Sequence, residues 1–421
     1  PHTGLLEFKN ICRPARVTHY DQSTGTLTLH NYMDFVDLTD YATLSYELNC
    51  DGQVVSAGSV PFPGGFRLPP HADGTLPLPL DVPAKGKCFV NICYHCKQDS
   101  ALIKADHLLG FDEIPLQNSD PRNQDAVQLL GRPAGDGLIT IRETDRMLVL
   151  SCEQFTYVFN KLTGLFDKMT FANEPLLDQP MGFNVWRAPT DNDRKLKADW
   201  YAAHYDHAAT NAYHTEYTVT ASGVTLHTHV GIAAICVQKF LDLDVTWTVA
   251  NNGSVDLALH AQRNTVFPEL PRFGLRLFLP QEMSQVNYYG MGPMECYCDK
   301  HHAASHNSYT ATVWQLHEDY IRPQENGSHF DCDYVMLAGD AVRLTAVGTQ
   351  PFSFNASHYT QEELTRKAHN YELEPCSSTV LCLDYAQNGI GSESCGPRLL
   401  EQYRLDDATF NFGLRLFPEK K

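Results

Sequence analysis

A strand-and-turn pattern that continues through most of the chain is the feature that most constrains its fold. Residues 26–32 alternate apolar and polar side chains, which is the period of a strand with one buried face. Residues 42–48 and 53–60 show two more strand patterns, and the turn between them ends in Asp51-Gly52, a pair typical of tight hairpins. One helical pattern is found, at residues 361–369. The sequence therefore predicts an all-β protein.

The strand pattern is interrupted in one place, which divides the chain into two domains. Between residues 112 and 136 the composition is that of loops. Strand patterns then resume without the alternating helices of a parallel sheet, for example at 147–152, 155–159, 237–249, 341–347 and 379–385. Series of short strands and turns of this kind form β-sandwiches. We predict an immunoglobulin-like β-sandwich at residues 1–120 and a larger antiparallel β domain at residues 121–421.

The charge and the distribution of apolar residues exclude two classes of partner. The chain has 50 acidic and 32 basic residues, and its formal net charge is −18. Such a charge repels a phosphate backbone. No apolar run approaches the roughly 20 residues of a membrane span. We therefore expect neither a nucleic-acid partner nor a membrane partner.

The cysteines and the first residues indicate a cellular location. Thirteen cysteines are irregularly spaced, and the first residues lack the basic start and apolar run of a signal peptide. This combination is typical of reduced thiols in a cytoplasmic protein. Cys93 and Cys96 form a CxxC pair, but a structural zinc site usually needs a second pair. The chain does not begin with Met, so we expect it to begin inside a longer polypeptide.

Residues 181–193 combine aromatic, basic and acidic side chains in a segment with neither helix nor strand period. Three interpretations are open. Asp191, Asn192 and Asp193 could supply oxygen ligands to calcium, but the glycine and glutamate of an EF-hand loop are missing. Trp186 and the nearby acids could hold a sugar. We favour the third interpretation, in which Arg187 pairs with an acid in a buried corner of the fold.

A second dense segment, residues 287–299, carries Glu295 and Asp299 beside a Gly-x-Gly-Pro loop. A glycosidase needs two carboxylates on either side of the cleaved bond. Carboxylates beside strand ends are more often partners for lysine or for backbone amides, and we favour that role here. The glycine-rich segment 388–397 lacks the lysine of a phosphate-binding loop. We assign no catalytic residue and no metal ligand to this chain.

These segments together resemble one family. They are Arg187-Ala-Pro-Thr-Asp-Asn-Asp193, Leu270-Pro-Arg-Phe-Gly274, Tyr289-Gly-Met-Gly-Pro-Met-Glu-Cys-Tyr-Cys-Asp299, Tyr320-Ile-Arg-Pro-Gln-Glu-Asn-Gly327 and Gly389-Ile-Gly-Ser-Glu-Ser-Cys-Gly-Pro397. In this order they are similar to motifs in the C-terminal part of glycoside hydrolase family two β-galactosidases. The resemblance is strong from about residue 125 onward, and the first domain matches by position and strand pattern.

The resemblance implies that the chain is the fourth and fifth of five domains. The fifth domain of the family is a large β supersandwich that resembles galactose mutarotase. The two catalytic glutamates of the family lie on a TIM barrel, a fold of about 250 residues that this chain does not contain. Asn173-Glu174 is similar to the family's acid/base pair, but it lies in a β loop. The chain alone is therefore expected to be inactive.

The family further implies a retaining enzyme that acts on terminal β-D-galactosides such as lactose. Its partners would be the rest of the β-galactosidase and the galactoside, and the parent would be a homo-oligomer. Magnesium and sodium are expected for the parent enzyme, held mainly by barrel residues, with no cofactor in this chain. Two alternatives remain open: a stand-alone carbohydrate-binding or mutarotase-like protein, and a separately encoded small subunit.

The last motif differs from the family in one respect. Some family members carry a tryptophan in the matching loop, where it stacks on the sugar at the mouth of the barrel. This sequence has Cys395 at the aligned place and one residue fewer in the loop. A cysteine offers much less apolar area than an indole ring. The resemblance implies that Glu393, Ser394 and Cys395 line the rim of the active site, and the simpler interpretation is a turn between strands.

Overall fold

The computed structural model describes residues 2–391 and 396–421. Strands predominate throughout, which confirms the predicted all-β class. The chain divides into two compact units, Pro1–Val127 with His301–Ser308, and Gln128–Lys300 with Tyr309–Lys421. The assignment of residues 1–120 and 121–421 to two family domains stays a prediction.

The first unit contains two antiparallel sheets with strand orders β1-β2-β5 and β4-β3-β6-β7. These strands are the seven expected of an immunoglobulin-like sandwich. The elements up to residue 130 are α1 (Thr3–Ile11), β1 (Ala15–Asp21), β2 (Thr26–Asn31), α2 (Leu38–Tyr41), β3 (Ala42–Cys50), β4 (Gln53–Ser59), β5 (Asp73–Pro77), β6 (Cys88–Cys96), β7 (Leu108–Pro115) and α3 (Gln124–Leu130).

Alternating side chains build the core of the first unit. Leu27 and Leu29 of β2 are fully buried, as are Val90 and Ile92 of β6. The predicted hairpin between β3 and β4 is present. Its turn residues Asp51 and Gly52 have φ values of 51° and 80°, and such a pair of positive angles is required by the hairpin turn that Asp-Gly favours.

The second unit contains a five-stranded sheet, β12-β11-β10-β9-β8, and a twelve-stranded sheet. The larger sheet has the path β13-β18-β23-β22-β24-β17-β16-β15-β14, and β19, β20 and β21 branch from it through β22. The elements are β8 (Thr140–Glu143), β9 (Met147–Ser151), β10 (Phe155–Asn160), β11 (Leu165–Phe171), β12 (Glu174–Pro175), β13 (Gln179–Asn184), α4 (Leu196–Ala202), β14 (Ala209–Thr220), β15 (Gly223–Ala233), β16 (Leu241–Ala250), β17 (Val255–Arg263), β18 (Arg272–Pro280), β19 (Gln285–Gly292), β20 (Ser305–Thr312), β21 (Ser328–Ala338), β22 (Val342–Ser357), α5 (Gln361–Arg366), β23 (Ser378–Gln387) and β24 (Thr409–Lys420).

The two sheets of the second unit bury an aromatic core. Trp247 of β16 is fully buried and meets Phe166 of β11 edge-on, with ring centroids 5.4 Å apart. Its indole Nε1–H donates to the carbonyl of Gly164 at 2.9 Å. The turn before β11 is therefore joined to the centre of the larger sheet.

Four helices were not recognised in the sequence, and their composition explains why. The predicted helix at 361–369 is present as α5, which ends at Arg366. α1 exposes Leu5 and Phe8 by about 60%, so it has no regular buried stripe. α3 lies inside the segment interpreted as loop, and α4 buries just Leu196 and Trp200. Short helices with one or two buried positions give too weak a period to be detected.

In the part of the chain that the structure describes, no helix is long and apolar enough to cross a membrane. Cys93 and Cys96 both lie on β6, and their odd spacing directs the two side chains to opposite faces of the strand. The described cysteines are free thiols.

Candidate functional site

The motif segments of the second unit converge on a group of charged side chains that are buried or, for Asp299 and Lys300, half-buried. We call this group the buried ionic cluster. Its members are Arg187, Asp193, Arg272, Glu295, Asp299, Lys300, Glu325 and Asp384.

Arg187 is the first centre of the buried ionic cluster, and its side chain is fully buried. Its Nη2 and Nε donate to the carboxylate of Asp193 at 2.7 and 3.2 Å. The guanidinium also donates to the carbonyls of Asn388 and, at 3.1 Å, Gly389. It lies 5.1 Å from the ring centre of Trp200. The prediction that Arg187 pairs with an acid in a buried corner of the fold is confirmed.

Arg272 is the second centre, and it joins two carboxylates. Its Nε donates to Asp384 Oδ1 at 3.1 Å, and its Nη2 donates to the other oxygen of the same carboxylate. Its Nη1 donates to Glu325 Oε1 at 2.6 Å. Arg272 and Asp384 have no exposed surface, and Glu325 is 3% exposed. Charges buried this deeply persist in proteins when they are paired and hydrogen-bonded.

Glu325 connects the second centre to the Arg187 segment. While one oxygen accepts from Arg272, the other accepts from the backbone N–H of Ala188 at 3.1 Å. Amide side chains complete the shell around Arg272: Asn355 Oδ1 accepts from Arg272 Nη2 and from Gln387 Nε2, both at 3.0 Å. The two arginine centres therefore form one hydrogen-bonded network.

The charges of the second centre are unbalanced, because one arginine faces two carboxylates. Burial raises the pKa of Asp384 to about 6, although Arg272 acts in the opposite direction. Burial also opposes the positive charge of Arg272, but Asp384 and Glu325 hold its pKa above the usual value. Asp384 therefore binds a proton at a higher pH than an aspartate in water does.

Glu295 is held by several donors, among them the hydroxyl of Tyr297, which lies 3.5 Å from one carboxylate oxygen. Lys300 Nζ lies 2.7 Å from one carboxylate oxygen, to which the hydroxyl of Tyr320 also donates. The backbone N–H of Gly327 donates to the other oxygen at 3.0 Å. Burial favours a higher pKa for Glu295. Lys300, the hydroxyl of Tyr320 and the backbone N–H of Gly327 outweigh this effect and lower the pKa.

Asp299 binds the backbone that follows strand β23. Its two oxygens accept from the N–H groups of Ile390 and Gly391 at 3.0 and 2.7 Å. A Cβ atom at Gly389 would lie 2.6 Å from Asp299 Oδ2, so a side chain at that position would displace the Asp299 carboxylate. Asn192 Nδ2 donates to the carbonyl of Ile390 at 2.6 Å. Segment 388–391 is thus fixed from several sides.

A polar surface depression lies next to this segment. Its lining residues are Pro189, Thr190, Asp191, Asn192, Arg194, Lys197 and Arg322. Asn192 belongs both to this lining and to the contacts of Ile390. Residues Glu393, Ser394 and Cys395, which the resemblance implies as rim residues, lie outside the described residues.

The preferred interpretations of both dense segments are confirmed. Glu295 and Asp299 are partners of a lysine and of backbone amides, and Arg187 lies in a buried corner. Sequence reasoning did not find Arg272 or Asp384. One signal was present in Gly274: a Cβ atom there would lie 2.3 Å from the carbonyl of Leu383, so the glycine marks a close approach of β18 and β23.

Two family models match the chain. The β-galactosidase small chain model matches residues 151–416, which is more than half of the chain. The model of β-galactosidase domain 4 matches residues 27–117. The chain belongs to the β-galactosidase small chain family. Together the two matches correspond to the C-terminal part of a β-galactosidase, as the sequence motifs predicted.

Curated relatives have the same name and are much longer. The chain is 38% identical to a β-galactosidase of Actinobacillus pleuropneumoniae over all of its own length and 40% of the relative. It is 33% identical to a β-galactosidase of Staphylococcus xylosus over 99% of its length and 41% of the relative. The chain therefore spans about two fifths of the length of these relatives.

Galactose mutarotase-like proteins are among the neighbours in solved structures. A galactose 1-epimerase from Lactobacillus acidophilus aligns over 67% of this chain with a TM-score of 0.38 and 8% identity. A galactose mutarotase-like protein from Lactobacillus casei aligns over 65% with a TM-score of 0.36 and 11% identity. Scores this low have no bearing on function, and the fold class follows from the strands described above.

Proposed function

We propose that this chain is the non-catalytic C-terminal portion of a retaining β-galactosidase that hydrolyses terminal β-D-galactosides such as lactose. In the whole enzyme it would support and rim the sugar site. The observation that carries the proposal is that the carboxylates of the buried ionic cluster are already engaged. A retaining glycosidase needs one carboxylate as nucleophile and a second as acid/base at the cleaved bond.

The engagement of these carboxylates supports a scaffolding role. Glu325 and Asp384 are buried against Arg272, and Glu295 is buried against Lys300. Asp299 is bound to two backbone amides. The oxygens of these carboxylates already accept hydrogen bonds from protein donors, so they are poorly placed to act as nucleophile or proton donor at a substrate. These side chains are therefore suited to holding the motif loops in place.

The fixed segment 388–391 supports the second part of the proposal. It leads directly into residues 392–395, and the polar depression beside it includes Asn192 and Arg322. We propose that Glu393, Ser394 and Cys395 line the rim of the galactoside site. Because Cys395 takes the place of an aromatic residue, the acceptor sugar would be held less by stacking.

The remaining features of the parent enzyme are part of the same proposal. The catalytic glutamates would lie on a TIM barrel in the rest of the β-galactosidase, which would be a cytoplasmic homo-oligomer. The described residues contain no group of three or more His, Cys, Asp or Glu side chains arranged to hold a metal ion. We propose that the parent binds magnesium and sodium mainly through residues of the barrel, outside this chain.

The test is to assay the purified chain alone and after it is joined to the remainder of the enzyme, with a chromogenic β-galactoside as substrate. We expect no turnover by the chain alone and turnover after joining. A Glu295→Gln variant of the chain, assayed in the same two ways, is the matched control. The proposal gives that carboxylate a structural role and no part in the chemistry. The proposal is wrong if the chain alone retains activity through repurification and loses it on mutation of one acid.

The same preparation distinguishes the alternative function. Mutarotation of α-D-galactose by the chain alone can be followed by polarimetry. We expect the spontaneous rate. Acceleration above that rate would favour a mutarotase-like protein over a portion of a hydrolase.

A further inference from the structure

Strand β14 forms one edge of the twelve-stranded sheet and is long for an edge strand. It runs from Ala209 to Thr220 and pairs with β15 on one side. Within residues 2–391 and 396–421, no strand pairs with its other side. An unpaired strand edge is a template for another strand, and protein edges are usually protected by lysine, proline or short length. β14 contains neither lysine nor proline.

The hairpin that joins β14 to β15 determines which backbone groups face outward. Thr220 pairs with Gly223 across a two-residue turn. The pair that closes such a turn is hydrogen-bonded, and bonded and non-bonded pairs then alternate along the strands. The N–H and C=O groups of Thr215, Tyr217 and Val219 therefore point away from β15.

The other half of β14 is less open. A bulge interrupts the register between Ala212 and His214. The N–H of Ala212 donates to the carbonyl of Leu162 at 2.8 Å, so this part of the edge is in use. The available template is the segment 215–220.

The side chains of this segment favour pairing with another strand. Tyr217 is 37% exposed and Val219 is 56% exposed. Threonine, tyrosine and valine have high strand propensity. Glu216 is the one acidic residue of β14, in a chain whose formal net charge is −18. Glu143 accepts from the hydroxyl of Tyr217 at 3.2 Å, and its charge is paired with Lys161 at 2.8 Å. Two copies of the chain can therefore approach through this edge with little of the repulsion that opposes contact elsewhere.

We propose that β14 pairs in antiparallel fashion with β14 of a second copy of this chain, around a two-fold axis at Tyr217. In this register the outward groups of Thr215 face those of Val219 in the copy, and Tyr217 faces Tyr217. Glu216 then faces Thr218. A register centred on Glu216 would place two carboxylates opposite each other, which is unfavourable. A two-fold contact uses the same surface of both copies, so no edge is left for a third copy and assembly ends at the dimer.

The size of the contact sets the expected strength. The paired segment of 215–220 is about 20 Å long. Such a strand pair buries less than the roughly 800 Å² per partner of a standard interface. We therefore expect a weak dimer that appears between about 1 and about 200 µM protein.

Sedimentation velocity over that concentration range tests the proposal. Tyr217→Pro removes an outward N–H and keeps the ladder with β15, because proline is tolerated where the N–H faces solvent. Val219→Lys adds a charge to the edge. We expect each variant to weaken dimerisation at least about tenfold. Ala221→Lys, in the exposed turn, is the matched control and should dimerise like the parent chain.

Crosslinking tests the register. Cys12 and Cys236 are exposed, so both are first replaced by serine. In that background, Tyr217→Cys places two thiols on the two-fold axis, where facing Cα atoms lie about 5.5 Å apart and suit a disulfide. Mild oxidation should give a covalent dimer that the background chain does not form.

Three outcomes would overturn the proposal: a monomer at all concentrations, a dimer that persists in both edge variants, or assemblies larger than a dimer. Circular dichroism and thermal melting establish that each variant is folded. The proposal adds an interface to the homo-oligomer of the proposed function. None of these measurements depends on galactosidase activity, so a failure of the dimer and a failure of the proposed hydrolase role are distinguishable.

Discussion

Two regions of the second unit are buried to the same extent but are stabilised in different ways. Around Trp247, aromatic and aliphatic side chains exclude water, and one indole N–H needs a partner. Around Arg187 and Arg272, charged groups lie in a similarly dry interior. Burial of apolar area is favourable at any position, whereas burial of a charge is tolerated only when its partners are in place.

The difference shows what the buried ionic cluster contributes. An apolar core tolerates changes of shape and does not specify which loops meet above it. The ionic cluster connects residues far apart in the chain, since Arg272 and Asp384 are separated by 112 positions. Each bond requires one arrangement of the motif segments. The cluster therefore determines where the loops lie more than how stable the unit is.

The largest effect is expected from Arg187→Ala. The substitution leaves Asp193 and two backbone carbonyls without their buried donor, and loss of one partner of a buried pair costs about 3–5 kcal/mol. Urea unfolding of the chain at neutral pH measures this cost.

Arg187→Lys is the matched control for that substitution. It retains the charge but loses the planar fork, so we expect a smaller loss of stability. An Arg187→Ala chain that melts at the same temperature as the parent would show that the ionic cluster is not an obligatory part of the fold.

An intermediate effect that depends on pH is expected from Asp384→Asn. Burial raises the pKa of Asp384 from 3.8 to about 6 in the folded chain. Between pH values of about 4 and 6 the folded chain therefore binds more protons than the unfolded chain, and the contribution of Asp384 to stability falls as pH rises. Above about pH 6 this contribution is constant.

The asparagine does not titrate, so the stability of the variant minus that of the parent should increase with pH. We expect an increase on the order of 2–3 kcal/mol between about pH 4 and about pH 6. Urea unfolding of both chains at matched pH values gives this difference. A difference that is flat or decreases over this range would contradict the raised pKa.

The smallest effect is expected from Trp247→Phe in the apolar core. This change removes the bond from Nε1–H to the carbonyl of Gly164 and part of the indole area, which we expect to cost about 1–2 kcal/mol. The cost should not vary with pH, because no charged group is involved. Measurement over the same pH series tests this, and a slope like that of Asp384→Asn would mean that the two regions are coupled.

Local patterns in the sequence were sufficient for several elements. The Asp51-Gly52 hairpin, the strand at 26–31 and helix α5 follow from periodicity and turn residues within about ten positions. Arg187 and Asp193 are six positions apart, so their pairing could be predicted from one segment. Short helices such as α3 and α4 were missed because their apolar period covers too few residues.

What the sequence determined by itself is the class of structure and the family. Strand period, turn chemistry and the ordered motifs are local properties, and they are present whether or not the chain is folded. The tertiary structure alone decided that Arg272 shares Asp384 and Glu325, and that Asp299 holds the backbone at Ile390 and Gly391. The physical reason is that a buried charge is defined by its surroundings. Those surroundings are assembled from strands that are distant in the chain, and they exist only when water has been excluded from between them.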